Sequence, residues 1–593
     1  MTRILSSSLT LMMLVVIGNG TTVPLSAEEK PPKVEEIRIT GNVSIKEGAL
    51  RGAMLTRESR WWNRSRIQMD LFRDDLHSIV TYYQNHGYLD AGIASWDTVH
   101  LKKNRIRIRI EVTEGPQFTI DSLTFRGNTI FTDEELEQRV QISPGKRFSY
   151  NEMIDSNWKI VNSYAERGFL DAQVRPDITI SQPTVDIMYR IDEGLPTYAD
   201  SITITGNSKT RPRVIRRNLE FARGELLTRN RMVSSQQNLY KTGLFQSVNI
   251  QTIEDTVRRS YRPVVVRVNE AKGGEFNFGV GYGSHELFRV SAEIRQANLA
   301  GTGQRVALQT KLSSRGFTIE GRYSAPYLIT QGSRLDNTTY LRQERENTYT
   351  VNRLGTELEI GQQLTRASRI SSSVRIENNY FAEFDPEAVT DTLTGRLRTL
   401  RLGFTRDSRE NLFNASTGSY FQWKVEMAGG FLSGTDRFVR TTIDYTKYVP
   451  LTEWMQFAFH HSSGLIREYG TRKNIPIYER FYAGGDRTIR GFEERSVGPS
   501  RNTKPVGGRA LLIFRGETRI PLYKKFHAAL FLDTGDVWNR FGQISAGSFR
   551  TGAGIGLRYN SPLGVVRFDA GFKLHRAPEE SAYQLHLTVG QAL

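Results

Sequence analysis

The chain offers few residues that could do covalent chemistry. It contains no cysteine, which removes disulfides, thiolate metal sites and thiol nucleophiles. Two histidines are adjacent, His460 and His461. Neighbours on a strand point to opposite faces, so these cannot share a metal ion. Gly279-Val-Gly-Tyr-Gly283 and Gly552-Ala-Gly-Ile-Gly556 superficially resemble dinucleotide loops. Neither has the G-x-G-x-x-G spacing with a helix behind it. Gly145-Lys146 lacks the upstream glycine of a phosphate-binding loop. The sequence therefore reads as a non-enzyme, with no catalytic residue, no metal and no cofactor. Recognition chemistry is better represented. Asp486, Arg490, Gly491 and Phe492 lie within one long polar segment, Arg467 to Val506. A guanidinium there could grip a carboxylate bidentately. Taken alone, however, the segment reads as a solvated surface loop.

The elements that would hold this segment are strands. No stretch has 18 consecutive apolar residues, and only helices or closed barrels satisfy the backbone in lipid. The short apolar run Leu9–Ile17, behind Arg3, has the size of a secretory h-region, so residues 1–27 are expected to be a signal peptide. From about Gly273 onward, stretches of roughly ten residues alternate. In Val566–Leu574 the residues Val566, Phe568, Ala570, Phe572 and Leu574 share one face, and Arg567, Asp569 and Lys573 the other. One greasy and one charged face is the pattern of a membrane barrel, apolar outside and wet inside. A soluble sandwich also alternates, but its apolar face is the interior, and its strands are usually shorter. Sixteen antiparallel strands are expected between Phe276 and Val589. The same parity points Phe526, Ala528, Leu530 and Leu532 outward, so Phe531 and Asp533 face the lumen. It points Ala510, Leu512 and Phe514 outward, and Glu517 inward.

The net charge of +17 invites a nucleic-acid reading. Residues 273–593 hold 42 Lys+Arg against 31 Asp+Glu, or +11, leaving +6 upstream. Without a basic block, the excess reads as lumen, loop and phosphate-facing charge, and no nucleic-acid partner is expected.

The first half repeats itself. Ile37-Arg-Ile-Thr-Gly41-Asn42 returns as Leu123-Thr-Phe-Arg-Gly127-Asn128 and Ile202-Thr-Ile-Thr-Gly206-Asn207. A second element recurs as Tyr83…Gly87-Tyr-Leu-Asp90, Tyr164…Gly168-Phe-Leu-Asp171 and Tyr240-Lys-Thr-Gly243-Leu-Phe245. Gly-Asn accepts the positive φ of a turn. Ser44–Glu47 and Thr132–Glu135 have capping-box spacing, and Pro212 suits a first helical turn. Gly87, Gly168 and Gly243 suit helix C-termini. Alternating runs, Ile106–Val112, Val185–Ile191 and Val264–Val268, close each unit. The order β-α-α-β-β, with these motifs in register three times, resembles the POTRA (polypeptide-transport-associated) domain. The expected organisation is POTRA-like modules over 33–115, 116–195 and 196–272, then an outer-membrane β-barrel over 273–593.

Arg480-Phe-Tyr-Ala-Gly-Gly-Asp486-Arg-Thr-Ile-Arg490-Gly491-Phe492 closely resembles the [V/I]-R-G-[F/Y] loop of the BamA/TamA superfamily of outer-membrane assembly factors. Thr405–Phe413, Glu517–Pro521, Phe531–Trp538 and Gly554–Gly564 match further family motifs. Ala483-Gly-Gly-Asp486 and Ser496-Val-Gly-Pro499 look more like the TamA type than the BamA type. The resemblance implies that the loop folds into the lumen, where Arg490 meets acidic residues. Asp533, Glu517 or both are the expected partners, with Phe531 beside them. It also implies a lateral gate, where the first strand pairs weakly with the last. Phe276, Gly279, Gly281 and Gly283 would form one edge, and Tyr583, Leu585, Leu587 and Val589 the other. Strand glycines let another backbone approach, or simply leave room for neighbouring side chains. The implied partners are unfolded outer-membrane clients and outer-membrane lipid. A large inner-membrane-anchored, periplasm-spanning (TamB-like) protein or assembly lipoproteins would work with them. A solute channel or a dedicated secretion transporter is the competing expectation.

Overall fold

The computed structural model describes residues 31–59, 65–253, 257–330, 332–389, 394–412, 415–452, 454–470, 475–561, 564–578 and 580–589. The segment read as a signal peptide, 1–27, lies outside them.

Three β-α-α-β-β modules come first. In the first, the strands Lys33–Thr40, Gly92–Leu101 and Arg105–Thr113 form a sheet whose centre is the last of them. It pairs parallel with the first strand and antiparallel with the second. The second module repeats this with Thr119–Arg126, Gln173–Ser181 and Thr184–Asp192, the third with Tyr198–Thr205, Phe245–Thr252 and Tyr261–Glu270. The alternating runs explain the order. Ile106, Ile108, Ile110 and Val112 are all buried, as are Val185, Ile187, Tyr189 and Ile191, and Val264, Val266 and Val268. Burying each large side chain stabilises by roughly 1.5–3 kcal/mol, so the most apolar strand takes the middle and both helices cover its face.

Gly41, Gly127 and Gly206 have φ of +80°, +90° and +86°. A Cβ there would lie 2.1, 2.1 and 2.0 Å from the carbonyl oxygens of Val112, Ile191 and Val268. Glycine is thus required twice over, by conformation and by space. The following Asn42, Asn128 and Asn207 donate Nδ2 hydrogen bonds to the carbonyls of Ile45, Phe131 and Thr210. A third recurrent group was not read from the sequence. Glu114, Glu193 and Glu270 each accept backbone N–H groups of that same turn, from Ser44, from Thr129 and Ile130, and from Lys209 and Thr210.

Two local expectations need correcting. Thr132 forms the expected capping box with Glu135, but Ser44 caps nothing: its N–H is taken by Glu114, and the helix Glu47–Ala53 starts after Lys46 without a side-chain cap. In the third module the buried position of Tyr83 and Tyr164 is held by Leu239, not Tyr240, which is half exposed. Tyr240 is one residue closer to its glycine, and on a helix one residue turns a side chain by about 100°.

The barrel is closed and built of sixteen strands in sequence order, from Gly274–Gly283 to Tyr583–Val589, all neighbours antiparallel. Phe276, Phe278, Val280, Leu530, Leu532, Phe568 and Phe572 are among the outward, exposed apolar residues. Phe531 and Asp533 are buried on the inner side. The seventh strand, Ser368–Phe384, carries Phe381 in the wall. Contacts divide the chain into two compact units. One runs to Ala199 and includes Gly224–Asn230 and Glu254–Arg262; the other holds Asp200–Arg223, Arg231–Ile253 and Pro263 onward, with the barrel.

Glu270 supplies a test of the recurrent carboxylate. Partial burial pushes its pKa upward, but hydrogen bonds from Thr210, Ser208 and Lys209 outweigh that and hold it at about 2, against an ordinary 4.5. A depressed folded-state pKa stabilises above the unfolded value and is lost below it. The contribution should therefore be complete above pH 4.5 and fade as pH falls toward 2. Glu270→Ala should release the Gly206–Thr210 turn, raising amide exchange in residues 205–214 of the full chain about ten-fold. Unchanged exchange at pH 7 would refute the assignment.

Candidate functional site: the lumen loop and the seam

The long loop between the eleventh strand, Gln456–Glu468, and the twelfth, Ala510–Tyr523, does not stay in solvent. It enters the barrel, where Ile477, Glu479, Ala483, Ile489, Arg490, Phe492 and Val497 are buried. Bridges Phe481↔Gly508 and Ala483↔Val497 tie its two limbs together. Gly484, Gly485 and Gly491 have φ of +104°, +95° and +94°, turning a tight hairpin that a side-chain-bearing residue would strain. The Gly485 N–H donates to the Phe492 carbonyl across it.

Arg490 sits at the end of this hairpin and is 2% exposed. Its Nε and Nη2 donate to both carboxylate oxygens of Asp533 at 2.7 and 2.9 Å, and Nη1 donates to Glu517 at 2.6 Å. Its backbone N–H donates to Asp533 as well, at 3.1 Å. The guanidinium lies 3.6 Å from the Phe531 ring centroid. A planar donor fork matched to a carboxylate and stacked on an aromatic face is a site for arginine, not lysine. The sequence expectation left Asp533, Glu517 or both; the structure brings together both, with Phe531. Around them Arg558 bridges Asp569 and Glu517 at 2.5 and 3.1 Å, and Arg519 holds Glu517 at 2.8 Å.

Glycines in the wall make room for the loop. A Cβ on Gly552 would lie 1.9 Å from the Arg490 carbonyl oxygen, and one on Gly571 2.4 Å from the Gly491 nitrogen. Of the glycine run dismissed as a nucleotide motif, Gly552 makes room for the loop backbone, Gly554 for the Phe531 ring, and Gly556 for the Asp569 and Arg558 side chains. Phe492, 1% exposed, packs with Ala483, Ile489, Val497, Ile513 and Val537.

The loop also reaches the last strand. The Gly491 N–H donates to His586 Nε2 at 3.2 Å, and Thr588 Oγ1 donates to Asp486 at 2.9 Å. Asp486 is thus a seam contact and not a partner of the central arginine. Neither His586 nor Thr588 was singled out from the sequence. Their inward parity, opposite to Leu585 and Leu587, was the available signal.

A second buried charge cluster was also missed. Glu479, 5% exposed, takes Arg440 Nη2 at 2.6 Å and Arg353 Nη1 at 3.2 Å. Arg375 and Arg401 meet Glu426 at 2.7 and 3.4 Å. Glu479 thus ties the loop to one side of the wall and Arg490 to another, and Arg495 adds an ion pair to Glu346 at 2.9 Å.

At the seam, the register pairs are Tyr282↔Val589 and Gly283↔Thr588, followed by a Ser284–Leu587 hydrogen bond. The last strand spends its length on its other neighbour, from Arg567↔Thr588 to Phe572↔Tyr583. Among the described residues, the seam is joined at Tyr282–Ser284 of the first strand and Leu587–Val589 of the last. Phe276, Gly279, Tyr583 and Leu585 have no partner across the seam among the described residues. Gly279 and Gly281 face inward, and their missing side chains leave room for Ser291 Oγ and the Arg289 guanidinium; a Cβ on Gly281 would also lie 3.1 Å from the Val589 carbonyl oxygen.

Arg490→Ala leaves Asp533 and Glu517 short of a buried partner, which costs about 3–5 kcal/mol. The folded barrel, followed by its separate migration on an unheated gel, should be lost at a lower temperature. Arg490→Lys should fall between the two, since one ammonium cannot repeat the fork. Equal melting of all three proteins would remove the pairing from any structural role.

Comparison with known proteins agrees with this geometry. Residues 298–593 match the family model "Omp85 superfamily domain", and 32–115, 118–194 and 197–271 match the POTRA model, "Surface antigen variable number repeat". The outer membrane protein assembly factor BamA of Nitratidesulfovibrio vulgaris is 24% identical over 96% of this chain and 75% of its own length. BamA of Neisseria meningitidis serogroup B is 23% identical over 96% of this chain and 80% of its own. The crystal structure of BamA from Haemophilus ducreyi lacking POTRA domains 1-3 superposes with a TM-score of 0.71 at 20% identity, covering 80% of this chain and 99% of that one, so the fold is shared. With a closed barrel, three POTRA repeats and relatives across its length, the chain belongs to the Omp85 superfamily, its barrel in the Gram-negative outer membrane and its POTRA modules in the periplasm.

Proposed function

We propose that the protein assembles outer-membrane proteins. Its POTRA modules bind unfolded polypeptide by edge addition, and clients enter the membrane through the seam between the first and last strands. The observation that carries this reading is the seam itself. Among the described residues two register pairs join it, while the neighbouring pair of last strands is zipped along the length of the final one. Gly274–Gly281 has no partner across the seam among the described residues, and an open strand edge is a template for an incoming strand. Each POTRA sheet also has its second strand at an edge: Gly92–Leu101, Gln173–Ser181 and Phe245–Thr252. These edges take an extended peptide through main-chain hydrogen bonds, tolerant of sequence. Insertion draws on the client's own folding and its burial in lipid.

A loop buried across the lumen counts against a plain solute channel, which needs an open water path. The relatives named as BamA favour general assembly over one dedicated secretion passenger. Three modules and the TamA-like loop flanks favour a periplasm-spanning, inner-membrane-anchored partner over assembly lipoproteins. Crosslinking through the first module separates those two.

The gate is testable because the chain has no cysteine of its own. Gly283→Cys with Thr588→Cys places two thiols at a register pair of the seam. The oxidised protein, reconstituted in vesicles, should lose insertion of a β-barrel client, and reductant should restore it. Equal insertion by the locked and reduced forms would rule out the seam as the route.

A further inference from the structure

Residues 200–223 and 231–253 of the third POTRA module and the inner rim of the barrel, which belong to one compact unit, enclose a cleft of about 820 Å³. Its walls carry Arg217 and Lys241 from the module, and Arg305, Tyr327, Arg334 and Arg366 from the barrel. Arg334 is neutralised by Asp336 at 2.6 Å. Among the described residues, Arg217, Lys241, Arg305 and Arg366 have no carboxylate within salt-bridge distance. The one carboxylate lining the cleft, Glu220, is itself engaged by Asn238 Nδ2 at 2.6 Å.

Arg217 is the most informative of these cations. Its guanidinium stacks on the Tyr327 ring, 4.3 Å from the centroid, and Nη2 donates to the Thr302 carbonyl at 3.4 Å, but its buried Nε has no hydrogen-bond partner among the described residues. Desolvation without a counter-charge pulls its pKa down from the ordinary arginine value. Tyr327, beneath it, has φ of +62°, a conformation that costs a side-chain-bearing residue about 1 kcal/mol or more. Its backbone N–H is held by the Ser333 carbonyl and its hydroxyl donates to Asn218. A strained aromatic platform under an uncompensated guanidinium is organised for something that the chain does not supply.

The position of the cleft says what that is. The turns around Gly301, Tyr327 and Thr365 lie at the same end of the barrel as Gly274, where the POTRA modules join, so they stand at the periplasmic face of the membrane. Leu328, Ile329 and Leu364 are exposed beside the cleft, and Ile360 continues outward on the lipid face. A basic cavity with an apolar rim at the membrane boundary fits a molecule that is anionic at one end and greasy at the other. We propose that this cleft binds the headgroup of an anionic glycerophospholipid from the periplasmic leaflet. Arg217 and Arg305 contact its phosphate, and its acyl chains lie along Leu364 and Ile360. This goes beyond the assembly reading and does not depend on it.

The test uses the full chain in detergent, with native mass spectrometry reporting lipid retained on the folded protein. The probes are dioleoylphosphatidylglycerol, dioleoylphosphatidylcholine and free glycerol 3-phosphate. Phosphatidylglycerol should be retained over phosphatidylcholine, and glycerol 3-phosphate should not displace it. Arg217→Gln and Arg305→Gln should each weaken retention about ten-fold, as for loss of one charge-assisted contact. Arg38→Gln, an exposed arginine of the first module, should leave it unchanged. Arg305 is exposed, so its variant keeps the test open should the Arg217 variant fail to fold. Equal retention of both lipids, displacement by glycerol 3-phosphate, or equal retention by wild type and both cleft variants would overturn the proposal. The last result would leave the cleft to an acidic segment of a protein partner.

Discussion

A guanidinium taken out of water costs several kcal/mol unless its charge and its donors are both matched. In the lumen Arg490 is matched completely: two oxygens of Asp533, one of Glu517, and the face of Phe531. That match requires the loop to lie against the wall, and much else follows. Gly552 and Gly571 have no side chain because the Arg490–Gly491 backbone occupies the space. Gly491 takes a positive φ so that the chain can turn away directly after the buried arginine. Phe492 then finds its apolar pocket. Removing this salt bridge would free one end of the loop and leave Asp533 and Glu517 without their central partner, while Glu479 still holds the other end.

The same geometry joins the loop to the seam. Gly491 and Asp486 lie on either side of a single turn of chain and hold His586 and Thr588 of the last strand. The last strand is therefore fastened on its inner face to the loop and along one edge to its neighbour. Among the described residues, its other edge pairs with the first strand at Tyr282 and Gly283, with a hydrogen bond at Ser284. The loop therefore holds the last strand on a face that its pairing with either neighbour leaves free.

What the sequence made legible is what short-range physics constrains. Gly41, Gly127 and Gly206 stood out because a positive φ and a facing carbonyl exclude every other residue. Strand parity sorted Asp533, Phe531 and Glu517 to the inside because a period of two admits no drift along a strand. Arg490 needed the family resemblance, since nothing local says that a polar loop enters a lumen. Glu479 went unread for the same reason: its arginines come from strands more than a hundred residues upstream, or nearly forty for Arg440. Tyr240 misled because similar letters at a shifted spacing look alike in a repeat, while the core counts positions on the helix. The Glu114, Glu193 and Glu270 series was visible in the letters. It was passed over because an acid after a strand reads as solvated surface until its backbone partners are known.

The distribution of charge gains meaning once the lumen is known. Arg353, Arg375, Arg401 and Arg440 are met there by Glu357, Glu377, Glu426 and Glu479. These four arginines and four glutamates offset one another, as buried charges must be paired. The basic excess of the barrel half must then lie where water or an external anion can balance it. The periplasmic rim is one such place: Arg305 and Arg366 of the barrel gather there beside Arg217 and Lys241 of the third module, with no carboxylate in salt-bridge distance among the described residues. The positive balance that first suggested a nucleic-acid partner is, at this rim, charge set against a membrane surface.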